Sequence, residues 1–233
     1  MSLSAQIYTQ LQNLNLPQPS QPWLQALISA RDPPPPLPSL VMTAKTRLLA
    51  SDLTTPGLLD PESVPAISLP STISDPAIKE TRLGHHVYVQ VADIEDLAKS
   101  RWEHVEELEA IERGEQTRGR EIIHLPTNAA EAEDVQNGTA DGPEAQAAGA
   151  MAGAGVSGPA TAAYRKATHR LVLQDCKGQM VYGLELTRIP RIAIGTLNIG
   201  EKILLQKGAV VARGAVLLEP ATCHILGGRV DAW

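Results

Sequence analysis

"THRLVLQDCKGQMVYGLELTRI" (residues 168–189) decides how the rest of the chain is read. Two runs rich in branched aliphatic residues flank "CKG", a short turn with a glycine, and together they read as a β-hairpin. In the second arm Met180, Tyr182, Leu184 and Leu186 share one phase, which points them to the core. Upstream, "HHVYVQVADI" (85–94) alternates Val87, Val89 and Val91 against Tyr88 and Gln90, a strand with one buried face. Downstream, "GEKILLQKGA" (200–209) and "VVARGAVLLEP" (210–220) are joined through a small-residue turn, and "ATCHILGG" (221–228) adds a last extended piece. Five or six short strands with Gly-containing turns predict a small closed barrel. Val210, Val211 and Val216 suit either its core or an interface.

The first eighty residues have a different texture. Ile7, Leu11 and Leu14 recur at helical spacing. Ser20 is a candidate N-cap with Pro22 in the first turn of "QPWLQALISAR", where Trp23, Leu24, Leu27 and Ile28 make one stripe. "DPPPP" stops that helix, because proline restricts the residue before it and lacks a backbone donor. Leu40, Val41, Ala44, Leu48 and Leu49 then line one side of a third helix. The expected architecture is α+β: a three-helix bundle (1–55), an extended Pro-rich connector (56–83), and a barrel (84–233). The barrel is interrupted at about 96–165.

That interruption contains a helical pattern, "DLAKSRWEHVEELEAIERGE", with Trp102, Val105, Leu108 and Ile111 at helical spacing. From Asn128 to Gly158 only Val135 and Val156 are branched aliphatic residues, too little apolar area to offset ordering entropy. Between them lies "REIIHLP" (120–126), an apolar island with Ile122, Ile123, Leu125 and Pro126. Either it folds back on its own core or it docks on another protein.

Charge is unevenly distributed. Residues 1–83 carry a net −1, 84–163 a net −10 and 164–233 a net +5. The acidic middle repels nucleic acid, and the C-terminal part attracts a polyanion only weakly. Three Trp, four Tyr and no Phe make the core aliphatic. Cys176 and Cys223 form no C-x-x-C pair, which suits a reducing compartment. The first residues lack a basic region followed by an apolar run, and no apolar stretch approaches eighteen residues. A soluble intracellular protein without membrane contact is expected.

No residue set points to catalysis. The histidines (His85, His86, His104, His124, His169 and His224) show no metal-ligand spacing and read as surface or strand-end residues. Cys223 and His224 are adjacent in a strand and face opposite ways. Glu103 and Glu107 read as a solvated helix face, and "ILGGRVD" has no helix after it to make a dinucleotide fingerprint. No cofactor is implied. Single-strand binding is the rival reading, with Arg165, Lys166 and Arg170 as a basic cluster. Such sites need aromatic platforms, and only Tyr88, Tyr164 and Tyr182 fall near the barrel.

The strings "HRLVLQDCKGQMVYGLELTRIPRI" and "LNIGEKILLQKGAVVARGAVLLEPATCHILGGRVD" resemble the N-terminal region of the RecQ-mediated genome instability protein one family. "PWLQALISA", "LTTPGLL" and "VYVQVADI" fit the same template in the same order, and the most specific piece is "VLLEP–x5–LGG–x–VD", Val216 to Asp231. The short length resembles the fungal form.

The resemblance implies a three-helix bundle packed on an oligonucleotide/oligosaccharide-binding (OB) barrel without catalysis of its own. It implies a nuclear subunit that binds a type IA topoisomerase III and works with a RecQ helicase in double Holliday junction dissolution. It further implies that the insertion between the first two barrel strands acts near the topoisomerase gate, with weak or indirect DNA contact. On this expectation Trp102, Leu108 and Ile111 mount the base of the insertion, while Ile122, Ile123, Leu125 and Pro126 dock on the topoisomerase. The acids of the insertion keep its tip off DNA or meet basic residues of the enzyme.

Overall fold

The computed structural model describes residues 2–114 and 168–233. Helices α1 (Leu3–Asn13), α2 (Gln21–Ser29) and α3 (Leu37–Ala50) form the N-terminal bundle. The Ser2 and Ser20 hydroxyls accept from the backbone N–H groups of Ala5 and Trp23, so α1 and α2 start where a capping side chain satisfies an orphan donor. The stripes predicted on α2 and α3 are the buried ones, with Leu24, Leu27, Leu40, Ala44 and Leu48 meeting Ile7 and Leu11. Leu14 is a correction. Helix α1 ends there, Asn15 takes φ 54°, and the reversal sends Leu16 inward while Leu14 stays exposed.

Proline content predicts an extended run after the bundle, but the chain winds through turns and a one-turn helix, α4 (Val64–Ile67). Leu58 and Leu59 enter the bundle core, whereas Leu69, Ile73 and Leu83 enter the barrel core. The segment therefore works as a strap between two hydrophobic clusters.

Among the described residues, eight strands replace the expected five or six. They are β1 (Thr81–Arg82), β2 (Val87–Asp96), β3 (His169–Asp175), β4 (Met180–Glu185), β5 (Lys202–Leu205), β6 (Val210–Ala212), β7 (Ala215–Leu218) and β8 (Cys223–Gly227). Their order is β1-β6-β7-β4-β3-β2-β5-β8. All neighbours are antiparallel except β4 and β7. "VVARGAVLLEP" is two strands rather than one, because Arg213 and Gly214 take φ 51° and 82° and close a tight hairpin between β6 and β7. Val87, Val89, Val91, Leu171, Leu173, Ile203, Leu205 and Val216 meet in one buried cluster, which requires the sheet to curl round them.

The two outward faces of this sheet differ. On β2, Gln90 points away from the barrel core yet is fully buried, because the helical bundle lies over it. Its Oε1 accepts from the Leu53 N–H at 2.9 Å, and its Nε2 donates to Asp52 Oδ1 at 2.6 Å and Gln174 Oε1 at 3.1 Å. Lys202 is buried nearby, its Nζ donating to the Gly200 carbonyl at 2.7 Å. Burial pulls its pKa down to about 8 against the pull of Asp52. Beyond β8, Gly228 (φ 96°) lets the backbone run against the Leu49 carbonyl of α3.

Candidate partner-binding surface

The insertion leaves and rejoins the barrel at a closed neck. The Leu97 N–H donates to the Thr168 carbonyl at 2.8 Å, and Asp96 stands directly opposite His169. His169 is a strand-end histidine, the first residue of β3, and it is buried with its Nδ1 2.9 Å from Glu185 Oε2. Glu185 also accepts from the His169 and Ile189 N–H groups and from Arg188 Nη1. Burial pushes the Glu185 carboxyl up, but the hydrogen bonds from His169, Ile189 and Arg188 outweigh it, so the carboxyl stays below its ordinary value. At the neck, the Glu185 carboxylate is held by several donors at once, as a structural ionic knot rather than an acid–base site.

Glu185 also fixes which face of β4 looks outward. Val181, Gly183 and Glu185 point inward; a Cβ on Gly183 would lie 2.9 Å from Leu173 Cδ1, so the glycine leaves that room to the core. Tyr182 is therefore not core, and the phase expected from the sequence is inverted. Met180, Tyr182 and Leu186 are 54%, 52% and 58% exposed. The register sets Val172, Tyr182 and Ala215 side by side, and below them Arg170, Leu184 and Leu217. Across β3, β4 and β7 these make one outward sheet face that the N-terminal helices do not cover.

One margin of this face is charged. The Arg170 guanidinium lies 5.1 Å from the centre of the Tyr182 ring, within cation–π range, and donates to Glu95. That bond holds the Glu95 carboxyl below its usual range. Arg170 is thus already paired by a carboxylate, and its two predicted companions, Arg165 and Lys166, lie outside the described residues. Beside this margin runs a groove of about 790 Å³, walled by α5 (Arg101–Glu112), Tyr182, Ile194 and the C-terminal Val230 and Trp233.

Helix α5 is the part of the insertion that the structure describes. Its start is a capping box: the Ser100 N–H donates to Glu103 Oε2 at 2.7 Å, and the Glu103 N–H donates to Ser100 Oγ at 3.2 Å. Among the described residues no other helix or strand packs extensively on it, but Arg101 pairs with Glu95 of β2, and His104 and Leu108 line the groove with Tyr182. Trp102 and Leu108, expected at the base of the insertion, are 70% and 53% exposed, Val105 is exposed too, and Leu108 lines the groove together with Val172 and Tyr182. The Ile111 side chain, and Ile122, Ile123, Leu125 and Pro126, lie outside the described residues.

Among the described residues, no three His, Cys, Asp or Glu side chains converge on a metal position. Burial raises the Cys176 thiol to about 11 and the Cys223 thiol to about 12, which leaves neither a useful nucleophile at neutral pH. Cys223 is buried and His224 exposed, on opposite faces as expected. No described helix is long and apolar enough to cross a membrane.

These features define a class: an OB-type curled sheet, capped by helices on one outward face and bare on another. Residues 69–233 match the family model described as RMI1, N-terminal OB-fold domain, and residues 11–56 match RMI1, N-terminal helical domain. The chain belongs to the RMI1 family. It is similar to the RecQ-mediated genome instability protein 1 of Schizosaccharomyces pombe, with 41% identity over 64 residues. That alignment takes in 28% of this chain and 26% of the yeast protein, so it spans about a quarter of the relative's length.

Proposed function

We propose that this chain is a non-catalytic nuclear subunit of a RecQ helicase–topoisomerase III complex. It binds the type IA topoisomerase and modulates it during decatenation and double Holliday junction dissolution, with the barrel insertion acting near the enzyme's gate. The observation that carries the reading is the uncovered row Met180, Tyr182 and Leu186, flanked by Val172 and Leu217 on a barrel whose other outward face is closed by helices. An apolar sheet face left bare on a small domain marks a protein interface. Family membership supplies the RecQ context.

In this reading Ile122, Ile123, Leu125 and Pro126 add a second anchor on the topoisomerase. Burying one Ile or Leu contributes roughly 1.5–3 kcal/mol, enough for three to offset the ordering of a short segment. The test is a pull-down of purified topoisomerase III from the same organism, with three chains: the full chain, one lacking 120–126, and Tyr182→Ser/Leu186→Ser. Weakened capture by the serine variant supports attachment through the barrel face, and weakened capture by the deletion supports the second anchor. Unchanged capture and unchanged decatenation by both would sink the reading.

A second reading rests on Arg170 stacked over Tyr182 beside Trp233, the makings of a single-strand contact. Glu95 and Asp231 neutralise Arg170 and Arg229 there, which argues for weak binding. A salt titration of single-stranded DNA binding separates the two readings, because a phosphate-tracking site loses affinity steeply as salt rises.

A further inference from the structure

The link between α2 and α3, residues 30–36, ends in four consecutive prolines, Pro33 to Pro36. One proline is enough to stop a helix, so a run of four exceeds what the stop requires. The proline ring fixes φ at about −65°, and a following proline holds ψ of the residue before it at about +120 to +160°. Pro33, Pro34 and Pro35 are each a proline and each precede one, so covalent chemistry alone sets both of their dihedrals in the polyproline II region. Pro36 continues the run at φ −58° and ψ 149°. A polyproline II helix has three residues per turn, which puts Pro33 and Pro36 on one edge and Pro34 and Pro35 on the other two. Pro33, Pro34 and Pro36 are exposed, while Pro35 is half-buried and leans back on the protein. The Pro36 carbonyl accepts from the Leu40 N–H, whereas the carbonyls of Pro33, Pro34 and Pro35 accept from no described group. Arg31 and Asp32, at the head of the run, are exposed and of opposite charge.

We propose that Pro33–Pro36 is a docking segment for a partner domain whose groove is lined by aromatic side chains, in the manner of SH3, WW and EVH1 domains. Such a groove seats proline rings between its aromatic rings, and its tyrosine or tryptophan donors reach the peptide carbonyls. The run offers both elements: rings on two outward edges and three unused carbonyls. Its geometry is set before the partner arrives, so little ordering entropy is lost on binding. Other partners fit less well. Four prolines supply no N–H for a sheet edge, and a head without net charge gives a nucleic acid nothing to neutralise. The inference does not depend on the topoisomerase reading, because the run belongs to the helical bundle and not to the bare barrel face.

The full chain is titrated into three purified, isotope-labelled probes, an SH3, a WW and an EVH1 domain, each followed by NMR at several salt concentrations. Pro34→Ala/Pro36→Ala is titrated beside it. Both positions are exposed and α3 starts without a side-chain cap, so an unchanged thermal midpoint verifies the fold. Pro34→Ala alone leaves the start of α3 untouched and serves as the second variant. The expected result is binding by at least one domain, with its shifts centred on the aromatic groove. The double variant loses affinity at least about tenfold, because freed dihedrals must be ordered on binding, and the single variant loses less. Salt leaves the affinity nearly unchanged, as an uncharged contact requires. Full affinity in both variants, shifts away from the groove, a steep loss with salt, or no binding to any of the three domains would overturn the proposal.

Discussion

The two outward faces of the barrel start from the same rule and end differently. On β2 the alternation exports Tyr88 and Gln90, and the helical bundle half-buries the first and fully buries the second. On β4 and just past its end it exports Met180, Tyr182 and Leu186, and nothing in the described chain buries them. The covered face is the more polar of the two. Gln90 is tolerated there because each of its amide atoms has a partner, whereas the bare face needs no internal partners because water or another protein supplies the environment. Polarity alone therefore misleads as a guide to exposure; completed hydrogen bonding is the better one.

The sharpest way to break the comparison is to force the covered face open. Gly228→Ala drives a Cβ onto the Leu49 carbonyl oxygen from a backbone at φ 96°, and is expected to destabilise by about 3 kcal/mol or more, read by urea unfolding. Gln90→Ala leaves the Leu53 N–H buried without its acceptor and is expected to cost about 2–3 kcal/mol in the same assay.

Lys202→Met acts more gently and through pH. Folded Lys202 titrates near 8 against an ordinary 10.5, so between those values the unfolded chain holds more protons and stability rises with pH. Below about pH 8 both states are protonated and the burial penalty is constant. The methionine variant is expected to be more stable than the natural chain at pH 7 and to lose its advantage towards pH 10. Taking the difference between the chains cancels Tyr8 and Tyr88, whose phenols burial holds above 10.

The smallest effect on folding comes from the bare face. Tyr182→Ser/Leu186→Ser is expected to change stability by less than about 0.5 kcal/mol per site. A large loss there would show that the face is covered within this chain, and would end the comparison.

Much of the fold was legible because local periodicity and burial agree. Leu40, Val41, Ala44, Leu48 and Leu49 follow a 3.6-residue repeat, and Val87, Val89 and Val91 a two-residue repeat, and each set is buried as read. The face of β4 was not legible. Its inward set holds a glycine and a glutamate, its outward set Met, Tyr and Leu, so counting apolar residues selects the wrong side. What reverses the count is distant: His169, sixteen residues before Glu185, and Arg188 in the following turn make a buried carboxylate tolerable. The hidden amide of Gln90 is equally non-local, depending on Leu53 and Asp52 in another unit. For the same reason the sequence does not say what Trp102 and Leu108 face. Helical spacing shows that a stripe exists but not what it faces.

The neck carries a consequence for how such a chain is remodelled. Its two ends are stitched by the Leu97–Thr168 hydrogen bond, and below them Glu185 accepts from His169 and Arg188, which lie outside the insertion. These bonds join barrel residues to one another, so a shorter stretch grafted between positions 98 and 167 is expected to leave them in place: the neck is a socket for new sequence.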